Sequence, residues 1–590
     1  MLLNTANKPI RICTILSITC VLQLFAGEKL SELALRKLAA KTVSWSSSEA
    51  DVASVDNIAC KILAFNDFHG QIGAGRKVAG RPVGSASVMA SYLKSAVEGF
   101  GENYAIVHAG DLVGASPPSS SLLQDEPALM FFNALGNQHC STRDRSNSCC
   151  NLVGTLGNHE FDDGEEELMR LLSGGNHKDG PFMQAPWKGA AFPHICANVF
   201  KRSSGLPLVA PYTIKQTDNG KGPPVAFIGA CLDETPTIVT REGVKDLIFV
   251  DEAEAVNLVA RIIKDFLGIK AIVLVIHEGG TQSSYGGGTD PDAGAVSGEI
   301  VSIINELDDE IDVVITGHRH GFTNALVKNK NGVPMLVTQS WSKGSAYADI
   351  DIELSRATGD VVKKSAKIIT TWADEGPGLD PDPAIAAGVK VAQDMVKKLT
   401  DQKIAESATE ISRSQNAAGE SALGNLIADA QRAIMGTDFA FMNPGGIRAD
   451  LDAGTVTWGE LYTIQPFANY LIKMELTGQQ VKDLLNQQWA GQPYPRMLQI
   501  SGLSYTWDNS LPADDRVVEI LKDDQPLEFN ATYTVTVNSF MADGGDNFTV
   551  LLDGKNKATG PIDLDALIEY IKALPQPFAA SVEGRISSIN

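Results

Sequence analysis

The 590-residue chain has little positive charge to set against its acid: 49 lysines and arginines face 71 aspartates and glutamates, a formal charge of −22 at pH 7. A surface this negative repels phosphate backbones, and no basic patch offsets it, which argues against a nucleic-acid polymer or an anionic membrane as partner. Long apolar runs are also missing. Beyond residue 26 none reaches the roughly 20 residues of a helical membrane span, so no stable span is expected, and the final VEGRISSIN lacks a lipid-anchor tail. Cysteine is scarce at eight residues, and the neighbours Cys149 and Cys150 lack the CxxC spacing of a zinc knuckle. Internal repeats are absent. Apolar residues at 44% and charged residues at 20% lie in the globular range, which excludes collagen-like, coiled-coil and disordered classes. At roughly 150 residues per domain, the length accommodates two to four.

What is present begins at the N-terminus. Met1 to Arg11 carries Lys8 and Arg11 and no acid, and Ile12 to Ala26 (ICTILSITCVLQLFA) is free of charge. This pattern predicts a secretory signal over residues 1–26 and a periplasmic or secreted protein, with an uncleaved anchor as the alternative. Six cysteines then remain, all in the first half. In an oxidising compartment a bridge is expected between Cys140 and the Cys149/Cys150 pair, with buried free thiols as the alternative.

Between about residue 58 and residue 355, apolar runs alternate with helical or loop stretches: KILAF, YAIVHA, NLVGTLG, PVAFIGA, AIVLVIH, DVVITG and PMLVTQS. Continuous runs of that length predict strands buried on both faces, hence a layered α/β domain. Residues 371–388 (TWADEGPGLDPDPAIAAG) have linker composition, and a helix is expected over Ile385 to Leu399. A second α/β pattern begins near Glu406, with helix ESALGNLIADAQRAIM, strand DFAFMN, helix TGQQVKDLLNQQW and strand ATYTVTVNSF.

Polar residues of metal-ligand type follow these runs with regularity. Asp67 and His69 follow KILAFN; Asp111 follows YAIVHAG; Asn158, His159 and Asp162 follow NLVGTLG; His277 ends AIVLVIH; His318 and His320 follow DVVITG. Ends of parallel strands are where α/β folds converge their loops over one sheet edge. Five of the nine histidines arriving there together with three carboxylates and an asparagine point to a shared site rather than to packing. Imidazole nitrogens with carboxylate and amide oxygens suit a pair of divalent ions of the Mn, Zn, Co or Fe type, held roughly 3.5 to 4 Å apart by a bridging carboxylate.

The ordered set DFHG (67–70), AGD (109–111), GNHEFD (157–162), HEGG (277–280) and GHRH (317–320) resembles the calcineurin-like metallophosphoesterase pattern. The resemblance implies an α-β-β-α sandwich over residues 57–365, followed by a linker and connecting helix over 366–400. It implies that Asp67, His69, Asp111 and His320 hold one metal and Asp111, Asn158, His277 and His318 the other, with Asp111 as bridge. His159 would stabilise the phosphoryl transition state while Asp162 holds its imidazole. Two divalent ions against the carboxylates of Asp67 and Asp111 leave net positive charge, the local centre that an anionic substrate needs on so acidic a protein.

The C-terminal stretch adds GESALGNLIADA (419–430), NPGGIR (443–448), QPFANYL (465–471) and NSFMADGGDNF (538–548). With the first half, these resemble the secreted bacterial 5'-nucleotidase family, which implies a smaller α/β nucleotide-binding domain over residues 401–590. Phe467 and Phe540 would then stack on the base, Asp546 accept from the ribose, Asn443 contact the base edge and Arg448 bind phosphate. Animal members carry a phosphate-binding arginine where this chain has Gly419, and Arg413 lies upstream. The implied reaction is phosphate release from nucleoside 5'-monophosphates by metal-activated hydroxide, with closure of the two domains about residues 370–395. Alternatives are a 2',3'-cyclic-nucleotide phosphodiesterase with 3'-nucleotidase activity, a UDP-sugar or NAD pyrophosphatase, a thiosulfate-ester hydrolase, and a non-catalytic nucleotide-binding surface protein. GGTQSSYGGGTDPDAG (279–294) reads as a lid or as a surface loop, and oligomeric state is left open.

Overall fold

A computed structural model describes residues 57–589; the expected signal over 1–26 lies outside them. Two compact units divide the chain. Among the described residues the first comprises 57–113, Glu126–Thr235 and 244–389, and the second Gly114–Asp125, Pro236–Gly243 and 390–589.

All seven apolar runs between residues 58 and 355 form strands. One six-stranded sheet has the order Val361–Thr370, Ala346–Leu354, Ile58–Phe65, Tyr104–His108, Leu152–Thr155, His194–Ile195. The other six-stranded sheet runs Phe322–Lys328, Pro334–Ser340, Ile311–Ile315, Ala271–His277, Val225–Cys231, Tyr212–Lys215. The four central strands of the second sheet are parallel, as are the last four of the first.

The strand Ala271–His277 explains why these runs show no polar alternation: all seven of its residues are buried. Val273 and Val275 meet Ile62, Ala64, Val107 and Val153 of the facing sheet. Ile272, Leu274 and Ile276 point the other way, onto helix Glu252–Leu267. That helix presents Val256, Val259, Ala260 and Ile263 at helical spacing, starts at an Asp251 side chain that accepts from the Glu254 amide, and stops at Gly268 with φ of +67°. The layered α/β architecture follows from covering both faces of both sheets.

Glu252, at the start of this helix, is buried and accepts from the Asp233 amide at 2.7 Å. Burial, and then the Asp233 carboxylate, push its carboxyl up to about 8. A carboxyl raised in the folded state binds its proton more tightly there than in the unfolded chain. Its contribution is therefore complete below about pH 4.5 and is lost as pH rises through about 8, at up to about 1.4 kcal/mol per pH unit. Glu252→Gln should flatten the fall in thermal midpoint between pH 5 and pH 8 relative to wild type; parallel curves for the two proteins would refute this.

The expected bridge forms between Cys140 and Cys150, while Cys60, Cys196 and Cys231 are buried free thiols and Cys149 is half-buried. The last strand of the first sheet runs to Thr370, and helix Pro383–Thr400 covers the expected Ile385 to Leu399. Among the described residues no helix is long and apolar enough to cross a membrane.

The second unit is built on a five-stranded sheet ordered Gln499–Ser501, Phe439–Met442, Thr532–Asn538, Tyr470–Thr477, Lys555–Ile562. Helix Ala422–Met435 begins where Ser421 caps the Gly424 amide and ends at Gly436, with φ of +59°. It packs with helix Asp563–Ala573 through Leu423, Ile427, Leu567 and Ile571. Helix Gly478–Asn486, opened by a Thr477/Gln480 capping box, buries Val481, Leu484 and Leu485 against Phe439, Phe441, Val535 and Val537.

Candidate metal centre and nucleotide pocket

Strand periodicity aims the first of the candidate ligands. Ala271, Val273 and Val275 face the opposing sheet, so the two-residue period puts His277, last in its strand, on that face at the sheet's carboxyl edge. The loops after the other strands then turn sharply. Asp67, His69, Asp111, His318 and His320 all have φ between +48° and +69°, the left-handed region that non-glycine residues adopt only where surrounding structure holds them.

The turns bring chemistry-bearing atoms together. Nε2 of His320 lies 3.2 Å from Asp67 Oδ1 and 3.1 Å from Nε2 of His69, while Nε2 of His277 lies 3.1 Å from Asp111 Oδ2. His69 Nε2 is 3.7 Å from that same Asp111 oxygen, so Asp111 stands between the two histidines. Three overlapping groups result, each with ligand atoms within 4.8 Å of one another: Asp67, His69 and His320; Asp67, Asp111 and His277; His69, Asp111 and His159. His318 lies outside these groups, half-buried, with its ring 5.5 Å from that of His277. Asn158 is 3% exposed, and its Oδ1 has no hydrogen-bond partner. A buried amide oxygen left without a donor costs about 1 to 3 kcal/mol, and a cation at this edge would satisfy it. The donor set and this oxygen fit divalent metal.

Fixed hydrogen bonds orient the cluster. Asp67 accepts from Asn66 Nδ2 at 2.6 Å and from the His318 amide at 3.0 Å. Asp111 accepts from the His159 amide at 2.9 Å, and His277 Nδ1 lies 2.7 Å from the Ala109 carbonyl, which leaves Nε2 to face the carboxylates. Burial works against charge on both members of the Asp111–His277 pair. The imidazoles nevertheless hold Asp111 well below the usual carboxylate range, and Asp111 raises His277. His159 Nδ1 is 2.8 Å from Asp162 Oδ2.

Close packing demands glycine here. A Cβ on Gly157 would stand 2.2 Å from Asp111 Oδ1, and one on Gly110 would stand 2.5 Å from His277 Nδ1. Glu160, inside GNHEFD, was given no role by its position in the sequence. Its buried carboxylate accepts from the amides of Asp111 at 2.9 Å, Leu112 at 2.8 Å and Gly157 at 2.6 Å, tying together the two loops that carry Asp111 and Asn158. A third acidic or metal-type side chain inside the motif, between His159 and Asp162, was the available signal.

In the second unit Asn443 donates to Asp546 Oδ2 at 2.7 Å and accepts from Asn538 at 2.9 Å. The GGD turn does more than reverse the chain. Gly544 has φ of +82° and Asp546 +55°, and a Cβ on Gly545 would stand 2.5 Å from the Phe540 ring. Arg448 lies 5.8 Å from the centre of the Phe467 ring. A cavity of about 400 Å³ is lined by Arg413, Gly445, Tyr494, Arg496, Gln499 and Asp546, among others. Of the five residues expected to bind substrate, Asp546 lines this cavity, whereas Phe540 lines a smaller one of about 40 Å³. Arg496, which the motifs did not mark, is 4% exposed and 3.6 Å from Asp546 Oδ1.

Residues 60–322 match the calcineurin-like phosphoesterase family and residues 398–553 the 5'-nucleotidase C-terminal domain. The chain is 33% identical over 575 residues to the cell wall protein Lmo0130 of Listeria monocytogenes, with 90% of this chain and 70% of that protein covered. The chain belongs to the 5'-nucleotidase family. It is also 37% identical over 547 residues to endonuclease YhcR of Bacillus subtilis, across 90% of its own length but 41% of that longer protein. Among solved structures, a 5'-nucleotidase precursor from Thermus thermophilus superposes with a TM-score of 0.74 at 28% identity, covering 90% of this chain and 99% of that one. In this family the first match identifies the unit carrying the Asp, His and Asn cluster as a metal-dependent phosphoesterase domain, and the fold implies divalent cations.

Proposed function

We propose that the chain is an exported nucleotide phosphohydrolase that releases phosphate from nucleoside 5'-monophosphates using two divalent cations. The observation that carries this reading is the convergence of Asp67, His69, Asp111, His277 and His320 at one sheet edge, in a chain that also has a 5'-nucleotidase C-terminal domain. Bound there, the cations would supply Lewis-acid charge for the phosphoryl group and an activated water. Asp67, His69, Asp111 and His320 would hold one and Asp111, Asn158, His277 and His318 the other.

The remaining work falls to the chain's own groups. His159, with Nδ1 held by Asp162, would present its ring to the phosphoryl oxygens as charge builds on them. Asp546 would accept from ribose hydroxyls, Asn443 would read the base edge, Phe467 and Phe540 would stack on the base, and Arg448 would bind phosphate. Arg413, which lines the larger cavity, would add the cation missing at Gly419. Similarity to a cell wall protein supports export. Similarity to a protein named an endonuclease favours a second reading, hydrolysis of phosphodiesters.

Metal-stripped full-length chain should release no phosphate from AMP and regain release on addition of Mn²⁺. Absence of release in both samples would overturn the reading.

A further inference from the structure

Trp341 stands out on the rim of the metal centre. The residue is 38% exposed, and its backbone has φ of +56°, a conformation that a bulky residue adopts only when held. It is held by the chain neighbours of His320 and Asp67. Its amide donates to the Gly321 carbonyl at 2.8 Å, next to His320, and its carbonyl accepts from Asn66 Nδ2 at 2.6 Å, the same nitrogen that donates to Asp67. Two residues on, the Lys343 amide donates to the Asp67 carbonyl at 2.7 Å. The Phe322 ring lies 6.1 Å from the indole, and Tyr285, 37% exposed, packs edge-on at 5.4 Å from Phe322. The 279–294 loop is pinned rather than loose at this point: the Gln282 amide donates to the Phe322 carbonyl at 3.0 Å, and the Tyr285 hydroxyl to the Asn324 carbonyl at 2.8 Å.

In the reading proposed above, the single base of a nucleoside monophosphate goes to Phe467 and Phe540, which leaves this surface no part in cleaving a monoester. In an in-line displacement the attacking and leaving oxygens lie opposite one another, so a second ester arm projects sideways across the ligands toward their rim. An aromatic face fixed there suits a nucleobase, because every base has a π-face to stack.

We propose that Trp341, backed by Phe322 and Tyr285, is a stacking shelf for a second base, so that the centre also cleaves phosphodiesters joining two nucleosides. This rests on the metal centre proposed above. Water cleaves one P–O bond: its oxygen joins phosphorus, the departing oxygen takes up a proton, and the products are a nucleoside and a nucleotide.

The test compares kcat/KM for the dinucleoside monophosphate ApA with that for AMP, on full-length protein supplied with Mn²⁺. Trp341→Ala should lower the ApA-to-AMP ratio about five- to a hundred-fold, the span expected for loss of one base stack. Trp341→Leu, which keeps apolar bulk without a flat face, should lower it likewise, and Trp341→Phe should hold it within about three-fold of wild type. An unchanged ratio in the alanine and leucine variants, or equal loss on both substrates, would overturn the shelf. Wild-type cleavage of AMP but not ApA would overturn it while leaving the proposed function standing; cleavage of neither would overturn both.

Discussion

Asp111→Asn should reduce kcat/KM for AMP by about a thousand-fold or more and lower bound metal below two ions per chain. The metal contribution to phosphoryl transfer is worth several kcal/mol, at about 1.4 kcal/mol for each factor of ten. The expectation rests on geometry: Asp111 Oδ2 is 3.1 Å from His277 Nε2 and 3.7 Å from His69 Nε2, so one carboxylate serves both halves of the cluster. Asparagine keeps the shape and removes the charge, which separates loss of ligation from loss of fold. Phosphate release and metal content by elemental analysis decide it, and a variant that keeps two ions and wild-type turnover would refute the bridge.

His159→Ala should show a different pattern, with kcat down about 10²- to 10³-fold, the range for losing one group that stabilises transition-state charge, and metal content unchanged. His159 belongs to a possible ligand group with His69 and Asp111, so the experiment discriminates between two roles. The Nδ1 contact with Asp162 at 2.8 Å favours the positioned donor, and Asp162→Asn should then reproduce part of the loss in kcat. Loss of metal in His159→Ala would reassign the residue to ligation.

The ligand-type residues were legible because their positions follow from strand periodicity. A strand covered on both faces is written as an unbroken apolar run, and the first polar residue after it lies at the sheet edge. Ala271–His277 shows this fully, with the final histidine continuing the face of Val273 and Val275. The linker was less legible. Proline and acid in 371–388 mark a change in organisation, yet the sheet runs through Thr370 and the following helix starts at Pro383, inside the stretch whose composition reads as linker. Capping by Asp382, which accepts from Ala384 and Ile385, overrides that composition.

In the second unit the motifs identified Asn443 and Asp546, which pair at 2.7 Å, but not Arg496, which lies 50 positions before Asp546 in the chain and 3.6 Å from it in space. Nothing local distinguishes that arginine from a solvated one.

By itself the sequence determined the two α/β units, the strand ends, and the Asp, His and Asn residues standing there, because burial on two faces and the spacing of polar residues are local properties of the chain. Only the tertiary structure decided that Glu160 ties the Asp111 and Gly157 loops, that Asn66 joins Asp67 to Trp341, and that Arg496 meets Asp546. Those contacts link residues up to 275 positions apart. They are set by strand order and by left-handed turns at the sheet edge, which no local pattern of residues specifies.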